Sequence, residues 1–174
     1  MAIRSFNNIT PTIGQHVYID EQSAVIGDVQ IGDDSSVWPF TSVRGDVNKI
    51  RIGQRTNIQD NSTIHVSHDS DYQPGGVPTI IGDDVTVGHQ VILHACTIGN
   101  RCLIGMGSII MDKVIIEENV IVGAGSLVTQ DKTLEAGYLY IGRPAKRLRE
   151  LTEDEKAYLT YSAQHYVRLK DKYL

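Results

Sequence analysis

Residues 98–128 read IGNRCLIGMGSIIMDKVIIEENVIVGAGSLV. An aliphatic side chain stands at every sixth position: Ile98, Ile104, Ile110, Ile116, Val122 and Val128. A period of six matches neither the 3.6-residue repeat of an amphipathic helix nor the two-residue alternation of a half-buried strand. It matches short strands of one hexapeptide each, joined by corners, with three hexapeptides closing a triangular coil of about 18 residues. Working outward, the same spacing holds Ile13, Ile19, Val25, Ile31, Val37 and Val43 in one upstream series. Ile52, Ile58 and Ile64 form another, and Ile81, Val87 and Leu93 a third. Glycine often follows, as in Ile31-Gly32, Ile52-Gly53 and Val122-Gly123. The pattern predicts an all-β solenoid, a parallel β-helix of hexapeptide repeats, over residues 1–145. Its aliphatic rows point inward, and successive coils stack at about 4.8 Å. Ordinary β-sandwich alternation competes with this but does not account for the shared register.

Three breaks interrupt the register. Three extra residues lie between Val43 and Ile52, and one is missing between Leu93 and Ile98. A long insertion, HVSHDSDYQPGGVPT (residues 65–79), separates Ile64 from Ile81 and reads as a protruding loop. Breaks of this kind map to functional loops on one side of a solenoid. The repeat fades after Val128, and Gly142-Arg143-Pro144 marks a turn. Thr152 and Glu155 then form a capping-box pattern that starts a helix at about Thr152. Leu151, Tyr158, Ser162, Tyr166, Leu169 and Tyr173 fall on one helical face. The spacing therefore places a C-terminal α-helix within residues 146–174, packed on the solenoid.

The 174 residues carry a formal net charge of −5 and no run of Lys or Arg, which argues against a nucleic-acid or anionic-membrane partner. The opening MAIRSFNNITP has no basic segment followed by an apolar stretch, and no apolar run reaches transmembrane length. A cytoplasmic location is the expectation. Two cysteines, Cys96 and Cys102, are too few for a disulfide framework and read as small reduced core residues.

The repeat assigns each histidine an edge and a height. Arg44, His65 and His94 each follow the third aliphatic residue of a coil, Val43, Ile64 and Leu93. They stack on one edge, with His65 and His94 on adjacent levels. Two imidazoles on one tetrahedral ion have nitrogens roughly 3.3 Å apart, which adjacent levels can supply. His89 lies two past Val87, on a second edge, above Asp60 and beside Gln59. The packed core separates it from the first edge. It can share an ion only with the histidines of a neighbouring chain, which predicts a C3 homotrimer with three interfacial metal sites. Taken singly, each histidine is more often a surface or packing residue, and His16 and His165 read so. His68, just after His65, is a candidate proton carrier.

Arg44-Gly45-Asp46, Asn57-Ile58-Gln59-Asp60, His65, and Gly88-His89 with His94 five residues on together resemble the γ-class carbonic anhydrase family, in particular its short bacterial members. The resemblance covers nearly the whole chain, including GAGSLV and YIGRPAK. It implies a left-handed β-helix trimer, with His65 and His94 binding metal from one subunit and His89 from the next. It implies zinc, with iron(II) or cobalt as alternatives, since imidazole suits all three. The implied activity is metal-hydroxide hydration of CO2 to bicarbonate, by an ion that lowers the pKa of water. Gln59 would orient the attacking water, Arg44 and Asp60 would pair across the interface, and Asp46 would support the site. Purely structural roles for Arg44, Asp46 and Asp60 stay open.

One departure bears on rate. The family's prototype carries glutamates in two acidic loops, one of which shuttles protons. Here Val47 stands where one would fall, and the loop after His65 holds His68, Asp69 and Asp71 but no Glu. His68 is the candidate substitute, and slow turnover is expected without an efficient relay. Two other functions fit the same solenoid: a hexapeptide acyltransferase using coenzyme A and no metal, and a metal-binding scaffold or thioesterase on the same site.

Overall fold

The computed structural model describes residues 2–174. The chain winds as a left-handed parallel β-helix closed by one C-terminal helix, against the right-handed norm for parallel crossovers. Three rows of residues stack up the solenoid. One row runs Ile13, Ile31, Ile52, Ile81, Ile98, Ile116 and Leu134. The second runs Ile19, Val37, Ile58, Val87, Ile104, Val122 and Tyr140. The third runs Ile3, Val25, Val43, Ile64, Leu93, Ile110 and Val128. Every hexapeptide series therefore sits in the predicted register, and apart from the first residue of each row, Ile13, Ile19 and Ile3, the rows form one buried core. The coil also continues past Val128, through Leu134 and Tyr140. The pattern faded there because a tyrosine replaces the aliphatic residue.

Small residues two positions before most row residues fill the corners inside. Cys96 and Cys102 are two of them, both buried and free. Hydroxyls at other such positions are satisfied by a carbonyl of the next coil: Ser35 donates to Gly53 O (2.8 Å), Thr41 to Gln59 O (2.9 Å) and Thr56 to Gly82 O (2.8 Å). Each buried hydroxyl thus keeps its hydrogen bond, as burial demands. Gly53 shows why glycine follows the aliphatic residue: a Cβ there would lie 2.6 Å from the carbonyl carbon of Gly82. At the corners the backbone turns through left-handed residues such as Asn61 (φ 60°), Gln90 (φ 58°) and Ala95 (φ 49°).

The helix spans Glu153–Lys170, and the predicted Thr152/Glu155 capping box is present. It packs on the solenoid, and its buried face overlaps the predicted one in part, with Leu151 and Ser162 buried as expected. Leu159, Ser162, Ala163 and Lys170 are buried, whereas Tyr158 (52%) and Tyr173 (59%) are largely exposed. Small Ser162 and Ala163 let the helix approach closely, and Ser162 Oγ hydrogen-bonds Thr86 Oγ1 (3.0 Å). Tyr166 and Tyr173 instead set ring edges against Trp38, at centroid distances of 5.6 and 5.3 Å. Lys170 Nζ, fully covered, meets Asp171 (2.6 Å) and Asp34 (3.4 Å). Between helix and solenoid, Tyr138–Gly142 and Ala145–Glu150 form an antiparallel hairpin around the predicted turn. Among the described residues no helix is long and apolar enough to cross a membrane.

Candidate metal centre

His65 ends the strand Thr63–His65 and His94 ends Ile92–His94, and the two strands pair in register, His65 opposite His94. Their imidazoles lean together, with His65 Nδ1 and His94 Nε2 3.3 Å apart. That is the separation expected of two nitrogens on one tetrahedral ion with bonds of about 2.0–2.1 Å. Two hydrogen bonds hold the His65 backbone: Thr79 Oγ1 donates to His65 O (2.5 Å) and so does Ala95 N (3.0 Å).

The far nitrogens settle the tautomers. His65 Nε2 meets Asp46 Oδ1 at 3.0 Å, and His94 Nδ1 meets Asp112 Oδ1 at 2.7 Å. An ionised carboxylate only accepts, so each far nitrogen carries the proton. The facing nitrogens of two neutral rings are then both lone pairs. Two acceptors 3.3 Å apart repel unless a cation lies between them. Burial, first, holds the pKa of His65 below its usual value, and Arg44 adds to this; the hydrogen bond to Asp46 opposes it only in part. Burial works to raise Asp46, but hydrogen bonds from His65 and Arg44 outweigh it, so its carboxyl stays below the usual range. His65 is thus held towards its neutral form with its far nitrogen on a carboxylate, the form a metal ligand requires.

His89 stands on the other edge, just before the left-handed corner at Gln90, as its register demands. Its Nδ1 meets Asp60 Oδ2 (3.0 Å), and its side chain is 46% exposed. The same carboxylate-on-imidazole pattern recurs there, leaving Nε2 outward. Among the described residues no three His, Cys, Asp or Glu of this chain gather around one point. His65 and His94 are together and His89 is apart, as the register predicts. Arg44 pairs with Asp46 within the chain, and Asp60 with His89. His68 lies exposed in the insertion, which folds back on itself through Ser67 and Val77.

Gln59 is buried beside this edge. Its Nε2 donates to Asn57 Oδ1 (3.0 Å), Asn57 Nδ2 to Thr86 Oγ1 (3.1 Å), and Thr86 continues to Ser162 of the helix. Gln59 and His89 border a cleft of about 400 Å³ between the solenoid and the helix, floored by Leu103, Ile104, Ile121 and Val122. Asn57, quoted only as part of its motif, and Asp112 were given no role in the sequence. Asp112 was within reach of the register: it lies two past Ile110, which stacks on Leu93.

Comparison with known proteins bears on the fold and the family. A family model described as bacterial transferase hexapeptide (six repeats) matches residues 10–45 and 95–130. The chain is 57% identical over 172 residues to Protein YrdA of Escherichia coli, covering 99% of this chain and 94% of that one. It is 44% identical over 165 residues to a carbonic anhydrase of Geobacillus kaustophilus, covering 95% and 87%. This chain belongs to the γ-class carbonic anhydrase family of hexapeptide-repeat proteins. A solved hexapeptide transferase family protein from Anaplasma phagocytophilum superposes with a TM-score of 0.92 at 43% identity, over 99% of this chain and 98% of that one. The γ-family chain thus shares its architecture with proteins whose names point to acyl transfer as well as to carbonic anhydrase.

Proposed function

We propose that this γ-family chain forms a homotrimer that hydrates CO2 to bicarbonate at metal sites between its subunits. His65 and His94 of one subunit and His89 of the next would hold the ion, most simply zinc, with iron(II) or cobalt as alternatives. The observation that carries this is the 3.3 Å approach of two imidazole lone pairs whose far nitrogens are both held by carboxylates. When bound, the metal supplies a Lewis acid that makes hydroxide available near neutral pH.

The chain's own residues do the remainder. Asp46, Asp112 and Asp60 orient the three imidazoles, each accepting from one ring N–H. Asn57 fixes the Gln59 amide, so that Gln59 can orient a water beside His89. Arg44 keeps Asp46 ionised. The apolar floor of the adjoining cleft suits an uncharged substrate such as CO2. His68, exposed in the insertion, would pass a proton to solvent.

The acyltransferase reading draws support from the names of structural neighbours, but coenzyme A transfer has no use for two facing lone pairs. A thioesterase would use the same metal site. Metal analysis of unstripped protein, joined to stopped-flow CO2 hydration and acyl-CoA hydrolysis assays, separates the three. Stoichiometric metal with CO2 hydration supports the proposal. Metal-free protein that binds coenzyme A contradicts it, and so does metal-loaded protein that cleaves acyl-CoA but leaves CO2 untouched.

A further inference from the structure

We infer that Asp112 is a positioning residue that presents His94 to the metal through Nε2, and that the two histidines of this edge therefore act through opposite ring nitrogens. The inference rests on the metal reading above and adds a residue to it.

The observations are local. Asp112 sits at the corner of the coil above His94, two residues beyond the strand Ile109–Ile110 that stacks on Ile92–His94. Its Oδ1 lies 2.7 Å from His94 Nδ1, the shortest of the three carboxylate–imidazole contacts. Among the described residues its ion pair is with His94 alone, whereas Asp46 divides itself between His65 and Arg44. Its backbone is fixed independently of His94: Asp131 N donates to Asp112 O (3.1 Å), and Lys113 N donates to Ala95 O (2.7 Å). Asp112 is thus a rigid acceptor set by the solenoid itself, aimed at one ring nitrogen.

The consequence follows from acceptor chemistry. Asp112 keeps the proton on His94 Nδ1 and leaves Nε2 bare, facing His65. On the coil below, Asp46 keeps the proton on His65 Nε2 and leaves Nδ1 bare, facing His94. One ring presents its δ nitrogen and the next its ε nitrogen, which brings the bare nitrogens of two adjacent coils to a common point. With Asp112 removed, the His94 proton is free to move to Nε2, which would put an N–H where the lone pair must be and leave the ring free to rotate.

Two variants test this, Asp112→Ala and Asp112→Asn, the second retaining a neutral acceptor oxygen. The first readout is the ¹⁵N NMR tautomer of His94 in the metal-free trimer. The second is Co(II) affinity by chelator competition. Wild type should show the Nδ1–H form at His94 and the Nε2–H form at His65. Asp112→Ala should lose the Nδ1–H form and bind Co(II) about 10–100-fold more weakly. Asp112→Asn should fall close to wild type in both, and the melting temperature of the metal-free forms should be unchanged. Wild type that binds Co(II) together with an Asp112→Ala variant of equal affinity and unchanged His94 tautomer overturns the positioning role while leaving the metal site standing. Wild type that takes up no Co(II) overturns both.

Discussion

Truncating one residue of an inward row should cost far more than truncating an equal residue that faces out. Ile58 is fully buried, stacked between Val37 below and Val87 above. Ile58→Ala deletes three carbons, worth ~0.8 kcal/mol each on transfer, or about 2.4 kcal/mol together. The void cannot close, because the coils on either side are pinned: Trp38 N donates to Ile58 O (2.9 Å) and Gln59 N to Val87 O (3.0 Å). A cavity cost of about 1 kcal/mol or more therefore adds, for a total of about 3–4 kcal/mol. Ile115 is 47% exposed on the outside of its coil, and Ile115→Ala should cost about 1 kcal/mol or less. Urea unfolding at one fixed protein concentration, with equal m-values, gives both numbers. Equal shifts for the two variants would refute the assignment of the period-six rows to the core.

Other expectations concern glycine, thiols and pH. Gly53→Ala would press a Cβ to 2.6 Å from Gly82 backbone atoms, so it should lower stability by about 1–3 kcal/mol; an unchanged melting temperature would contradict the close stacking of coils. Burial pushes both the Cys96 and Cys102 thiols up to about 12, so a thiol reagent at pH 8 should label neither until the protein is unfolded; native labelling at the rate of a free thiol would place them wrongly. Hydrogen bonds from Arg149 and from the Thr152 backbone hold the Glu155 carboxyl down to about 2, against 4.5 unperturbed. Its folded value is the lower one, so its contribution is present above about pH 4.5 and fades as pH falls towards 2. Glu155→Gln should flatten the stability–pH curve in that window, and an unaltered slope there would remove the ion pair from the account.

The solenoid was legible because its core obeys one short period, and every aliphatic row from Ile13 to Val128 sits where that period puts it. The histidine edge was legible for the same reason: in a β-helix, sequence offset converts directly to edge and height, so His94 over His65 could be read off, with His89 on another edge. The rest failed where packing overrode pattern. The helix buries Leu159 and Ala163 beside the predicted Ser162, because small side chains permit close approach, whereas Tyr158 and Tyr173 of the expected face stay largely exposed. Tyr140 extends the core row by a ring where aliphatics had marked it. Asp112 and Asn57 act through side-chain hydrogen bonds to neighbours 18 and 29 positions away, contacts that only the coil stacking creates.

The central claim is a metal held between subunits, and mixing two single variants tests it most directly. His89→Ala and His65→Ala trimers, metal-free and each alone, should bind no stoichiometric metal. Unfolded together and refolded, they should recover metal at one site in each mixed trimer, where an intact His65–His94 pair meets an intact His89 across a closed ring. A His89→Ala trimer that keeps its full metal content, or mixed trimers that never recover any, would contradict the account.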